Sequence, residues 1–139
     1  MTRNYRLIDH TADFGLEIWG DDETALFEEA AKALFDLIFD PAAVKAQHCR
    51  TVEVQGDDWP DLMVNWLREL LYMFNGQERI VGNVAVTGID KGRVQAAVAW
   101  EAFDPRRHEI KAEIKAVTYH QIDVGPCEGG WRARVIFDI

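Results

Sequence analysis

The sequence predicts an α+β protein: a two-layer, largely antiparallel β-sheet with two packed amphipathic helices. Period-two alternation over much of the chain predicts the sheet, and two stretches of apolar residues at helical spacing predict the helices. No linker, low-complexity tract or internal repeat interrupts the 139 residues, so a single domain spanning 1–139 is expected.

Residues 5 to 19 read as two strands, Tyr5 to Ile8 and Phe14 to Trp19, broken by the polar stretch His10-Thr11-Ala12-Asp13. Gly20-Asp21-Asp22 supplies a turn, and a helix is expected from about Asp22 to Phe39. Its apolar positions Phe27, Ala30, Ala31, Leu34 and Ile38 share one face, an aspartate caps the start, and Asp40-Pro41 ends it. Cys49 to Gln55 alternates as a short third strand. Gly56-Asp57-Asp58-Trp59-Pro60 then starts a second helix, where Leu62, Trp66, Leu70 and Phe74 step by four up to Asn75-Gly76. Both apolar stripes fit packing on a sheet.

From Ile80 the period becomes two. Val84 and Val86 precede a turn at Asp90-Lys91-Gly92, and Val94, Ala96, Val98 and Trp100 follow it. Ile110, Ala112, Ile114 and Ala116 alternate with charged residues, which predicts another strand with one wet face. Gly125 to Gly130 turns the chain into a last strand, Trp131 to Ile139. The expected order is βαβαβββββ.

Charge narrows the function. With 24 Asp and Glu against 15 Lys and Arg, the net charge of -9 repels a phosphate backbone and argues against strong direct binding of nucleic acid. An acidic surface suits divalent cations or a basic protein partner, and equally serves solubility. No run of 18 apolar residues predicts a membrane span, and the first residues lack a secretory pattern, so a cytoplasmic protein is expected. Cys49 and Cys127 form no CxxC pair and are expected to be reduced thiols.

Motifs for a nucleophile elbow, a P-loop, a dinucleotide fold or an HExxH metal site are absent from the sequence, which counts against an ordinary enzyme. None of His10, His48, His108 and His120 is paired at metal-ligand spacing. The oxygen-rich candidate is Asp13 with Asp138 and the terminal carboxylate of Ile139, because hard cations want several oxygen ligands. The ending Val135-Ile136-Phe137-Asp138-Ile139 is apolar enough to be a buried strand, whose terminus would need a counterion: a metal, an arginine such as Arg132, or water. Against this stands a turn at His10 to Asp13 held by Asx-type hydrogen bonds. A second polar cluster, Lys115 to His120, would put Lys115 and His120 on opposite faces of a regular strand. One of them then joins the site, or Tyr119 packs and His120 is hydrogen bonded in a structural role.

His10-Thr11-Ala12-Asp13, Ile114-Lys115-Ala116-Val117-Thr118-Tyr119-His120 and the ending Trp131 through Asp138-Ile139 together resemble the archease family, in order and spacing over essentially the whole chain. The resemblance implies a small accessory cofactor protein that activates an RtcB-type RNA ligase in tRNA splicing and RNA repair. It would promote ligase guanylylation and multiple turnover and widen nucleotide use. By position, the divalent metal of that family, usually calcium, would be held by Asp13, Asp138 and Ile139, with Mg²⁺ or Mn²⁺ as alternatives. His10, Thr11, Lys115 and His120 would lie behind the ligands or touch the partner. Two other readings are kept: a chaperone or general protein-binding module, and a metal-dependent hydrolase.

Overall fold

The computed structural model describes residues 4–9 and 13–139. Local sequence accounts for both helices. In α1, Glu23–Ile38, the Asp22 carboxylate accepts a hydrogen bond from the Ala25 N–H at 2.8 Å, so the helix starts where the acidic turn predicts. In α2, Trp59–Asn75, Asp58 caps the Asp61 N–H at 2.9 Å, Pro60 occupies the first turn, and Gly76 follows the end.

Among the described residues seven strands run β1 Tyr5–Asp9, β2 Asp13–Gly20, β3 His48–Gln55, β4 Arg79–Asp90, β5 Arg93–Ala102, β6 Ala116–Cys127 and β7 Gly130–Asp138. All pair antiparallel, in a four-stranded sheet of order β1-β2-β7-β6 and a three-stranded sheet of order β3-β5-β4. The α+β class is the one expected. Strand pattern alone does not divide the strands between two sheets, because alternation reports a buried face and not its partner.

The observed order is ββαβαββββ, against the expected βαβαβββββ. The two strands read in residues 5 to 19 are present as β1 and β2, and the strand expected from Ile110 to Ala116 is a connection until Ala116. Its backbone bonds elsewhere: the Lys111 N–H donates to Ile38 at the end of α1, and the Asn75 side chain at the end of α2 donates to the Ile114 carbonyl. Of its apolar positions Ile114 is buried while Ile110 is 46% exposed, so the alternation there does not report one buried face.

Both helices touch both sheets: α1 meets β2 and β4, and α2 meets β6, β4 and β3. That explains why Lys32 is the one exposed residue of α1 while apolar side chains are buried most of the way round. Trp66 on α2 is fully buried and its indole N–H donates to the Phe27 carbonyl of α1 at 3.0 Å, fixing one helix against the other. At the far end of the core, buried Glu101 accepts from the Lys45 N–H at 2.7 Å and pairs with Arg107, while buried His108 accepts from the Asp104 N–H at 2.9 Å. These bonds tie the connection 103–108 to the start of β3.

The Glu128-Gly129 turn delivers β7, and Gly130 sits at φ 153 where an added Cβ would stand 2.3 Å from the Gly20 carbonyl oxygen. Gly130→Ala is expected to destabilise by at least about 1 kcal/mol, whereas Gly125→Ala, with nothing within 4 Å of its Cβ, should stay within about 0.5 kcal/mol. Trp66→Phe, losing the indole bond and opening a void, should cost about 2–3 kcal/mol. Denaturant midpoints check all three.

Candidate metal site

The two ends of the expected site meet through the ladder of β2 and β7. The register pairs Asp13 with Asp138, Gly15 with Ile136, and Glu17 with Arg134, so these side chains share one face of the four-stranded sheet. The other face, carrying Phe14, Leu16 and Ile18 opposite Phe137, Val135 and Ala133, packs on the helices. Directly opposed residues carry Cβ atoms about 5 Å apart, so two carboxylates emerge side by side at the end of the sheet. The Ile139 carboxylate follows at once. The Asp138 carbonyl is already used, accepting the Lys115 N–H at 2.8 Å.

Charge on this face is balanced one way in the middle and another at the end. Arg6, Glu17, Arg134 and Asp123 form one register rung across all four strands, alternating in sign. Glu17 is buried, one carboxylate oxygen accepting from Arg6 at 2.9 Å and the other from Arg134 at 3.1 Å. Burial opposes its ionisation, but the two arginine hydrogen bonds outweigh that and hold the carboxyl below its ordinary value. At Asp13 the cross-strand neighbour is another carboxylate. Among the described residues, neither Asp13 nor Asp138 lies within ion-pair distance of a lysine or arginine.

Several expectations change. Val135, Ile136 and Phe137 are buried, but Asp138 is exposed and Ile139 is 38% exposed, so the terminus is not carried inside. The strand reaches the sheet end there and runs out into solvent. Arg132 is no counterion for it: Arg132 stands opposite Trp19, about 20 Å along the strand, and pairs with Asp123 at 3.4 Å. His10 and Thr11 lie outside the described residues. Lys115 is beside the site through its backbone bond and has an exposed side chain. His120 is exposed within a break in register between Thr118 and Asp123, where Gln121 takes φ 52. That irregularity removes the regular strand on which the opposite-face argument for Lys115 and His120 depended. Tyr119 donates to Asp61 at the start of α2 at 2.7 Å, with the Arg68 guanidinium over its ring, and the His120 N–H donates to the Thr118 hydroxyl.

Among the described residues no three His, Cys, Asp or Glu side chains converge on one point. The candidate donor set is two side-chain carboxylates and one main-chain carboxylate, all oxygen, which suits a hard divalent cation. Opposed like charges destabilise a strand pair, and a cation between them reverses the sign of that interaction. The donors therefore fit such an ion. Sequence reading passed over Glu17 and Arg134, although a glutamate inside the apolar run Phe14 to Trp19 signals a paired charge.

The Archease protein family model matches residues 5–139. The chain belongs to the archease family. It is 36% identical to the archease of Methanosarcina mazei, over 99% of this chain and 97% of that protein. It is also 36% identical to that of Pyrococcus abyssi, over 94% of this chain and 95% of that one. A Methanobacterium thermoautotrophicum protein solved in solution shares the fold with a TM-score of 0.81 and 32% identity, over 99% of this chain and 100% of that one. A Thermotoga maritima archease, described as a possible chaperone, matches in fold with a TM-score of 0.64 and 20% identity, over 95% and 94% of the two chains. None of these relatives is named for a catalytic activity. Among the described residues no helix is long and apolar enough to cross a membrane.

Glu17 has a folded pKa below its ordinary 4.5, so its stabilising contribution is complete above that value and disappears as pH falls below it through the lower folded pKa. Glu17→Gln should therefore flatten the fall in melting temperature in that acid window and lower the melting temperature at neutral pH. A thermal-melt series against pH reads both effects.

Proposed function

We propose that this protein is an accessory cofactor of an RNA ligase: it activates an RtcB-type ligase in tRNA splicing and RNA repair, promoting ligase guanylylation and multiple turnover. Asp13, Asp138 and the Ile139 carboxylate would hold a divalent metal, Ca²⁺ first, with Mg²⁺ and Mn²⁺ as alternatives. The observation that carries this reading is the carboxylate opposed to a carboxylate at the sheet end, on a face where Glu17 is matched by two arginines. Membership of the archease family and the three motifs quoted above support the ligase as the partner.

The bound ion would supply positive charge for phosphate oxygens. The chain's own part is positional. The β2–β7 ladder sets Asp13 and Asp138 side by side, and the Lys115 N–H holds the Asp138 main chain so that the next carboxylate leaves the sheet at a fixed place. With a net charge of -9, the protein reaches a basic ligase surface and avoids competing for RNA, consistent with a cytoplasmic accessory role and no strong direct nucleic-acid binding.

The test is the rate of ligase guanylylation with GTP and Mn²⁺, timed with and without this protein. Acceleration is expected, and Asp13→Ala, Asp138→Ala and a C-terminal extension should each reduce it by about tenfold or more. Full activation by all three variants would remove the metal site from the mechanism. Isothermal titration of the unliganded protein with Ca²⁺ should show one site that Asp138→Ala loses.

A second reading, a chaperone or general protein-binding module, is favoured by exposed Tyr72 and Tyr119 and by the words attached to the Thermotoga maritima relative. It predicts capture of many unfolded clients and indifference to Asp138, where the ligase reading predicts one dominant partner. A metal-dependent hydrolase would instead turn over RNA or nucleotides without any partner.

A further inference from the structure

β4 is an edge strand of the three-stranded sheet, and α1 runs alongside it. Between them lies a cleft of about 300 Å³, lined by Glu28, Glu29, Lys32 and Asp36 of α1 and by Gly82 and Val84 of β4. Its volume is at the small end of the roughly 300–1,000 Å³ typical of ligand clefts. It shares no residue with the acidic end at Asp13 and Asp138.

The backbone in this cleft is set up for a strand. The Val86 N–H turns away from β5 and donates to Glu28 Oε2 at 2.9 Å, so a carboxylate oxygen occupies the place where a neighbouring strand's carbonyl would stand. The register with β5 is continuous from Val84 to Val86. By the alternation of an antiparallel ladder, the N–H and C=O of Val84 point the same way, into the cleft that Val84 lines. From Glu28 to Asp36 the helix wall extends about 12 Å, which matches about four residues of extended chain.

The wall also selects charge. Lys32 is already engaged, its ammonium 2.7 Å from Asp36 and over the Tyr5 ring. Asp36 holds that ammonium in its charged form, raising its pKa. Glu28 and Glu29 stand beside the strand edge, and among the described residues neither lies within ion-pair distance of a cation, although Lys32 feels the charge of Glu29. A second copy of the chain would bring a net charge of -9 against this wall, which repels it.

We propose that this cleft docks a short extended segment of a partner protein, added as a strand to the β4 edge, with a lysine or arginine of that segment seated against Glu28 and Glu29. Main-chain bonds to Val84 supply the affinity, and the acidic pair supplies the choice of sequence. The reading stands apart from the ligase proposal, since it needs no metal and none of the terminal residues.

The experiment uses the full isotope-labelled chain and two tetrapeptide probes with blocked ends, acetyl-VKVK-amide and acetyl-VEVE-amide. The lysine probe is expected to shift the amide resonances of Gly82, Asn83 and Val84 and to slow hydrogen exchange at Val84. The glutamate probe should bind at least about tenfold more weakly. Glu29→Lys should lose the same factor for the lysine probe, while Glu28→Gln keeps an oxygen for the Val86 N–H and loses only charge. No shift at 82–84, equal binding of both probes, or undiminished binding to Glu29→Lys overturns the proposal. So does the appearance of the same shifts on concentrating the chain alone, which would make a second copy the occupant. The probe comparison needs only the wild-type chain, so it decides the matter even if a variant folds poorly.

Discussion

The pairing of β2 with β7 is the constraint on which the rest depends, because it joins residues near one end of the chain to residues at the other and does so in one register. Phe14, Leu16 and Ile18 meet Phe137, Val135 and Ala133 on the helix side, and Glu17 meets Arg134 on the solvent side. A slip of one residue on either strand would turn the apolar set outward and press a carboxylate into the core. The pairing is also remote in sequence, so its closure costs chain entropy that only the completed core returns. Core packing and the position of Asp13 beside Asp138 are therefore settled by the same event.

On the outer face of this sheet, electrostatics distinguishes structure from function. The rung from Arg6 through Glu17 and Arg134 to Asp123 alternates in sign, and a buried carboxylate is tolerated because both of its oxygens are matched. Four residues along β2, the rule is broken at the strand end, where carboxylate faces carboxylate. Sites that break a local rule while the surrounding structure obeys it are where binding is expected. Screening by solvent and salt keeps that repulsion small enough for the strand pair to survive without an ion.

The acidic end and the α1–β4 cleft make different uses of negative charge. At the sheet end Asp13 and Asp138 stand opposed across two strands, with oxygen chemistry that suits a hard cation. In the cleft Glu28 caps a strand-edge N–H and Glu29 stands beside it, so charge there accompanies main-chain recognition. Both suit partners that are themselves basic, and the net charge of -9 supplies the long-range attraction toward them.

Much of the fold was legible because the signals were local. Asp22 and Asp58 as caps, Pro60 in a first turn, Gly76 after the last turn, and 3.6-residue apolar spacing each act within a few residues, and both helices begin and end within about a residue of expectation. Residues 110–116 misled because their period two does not follow burial: Ile114 is buried at the end of α2, but Ile110 is exposed, and the Lys111 N–H is spent on the end of α1. The composition of the candidate site, oxygen donors at Asp13, Asp138 and Ile139, was visible in the residues and in their resemblance to a family. What the chain could not specify by itself was exposure and pairing. The ending Val135 to Ile139 reads as a buried strand, yet burial stops at Phe137, and Glu17 signals a paired charge whose partners appear only when the register supplies Arg6 and Arg134. Propensity and capping act over one helical turn and were decided by sequence. Which remote strands lie side by side, β2 with β7 and β3 with β5, and so which charge faces which across them, was decided by tertiary structure alone, because those contacts join residues that share no local signal.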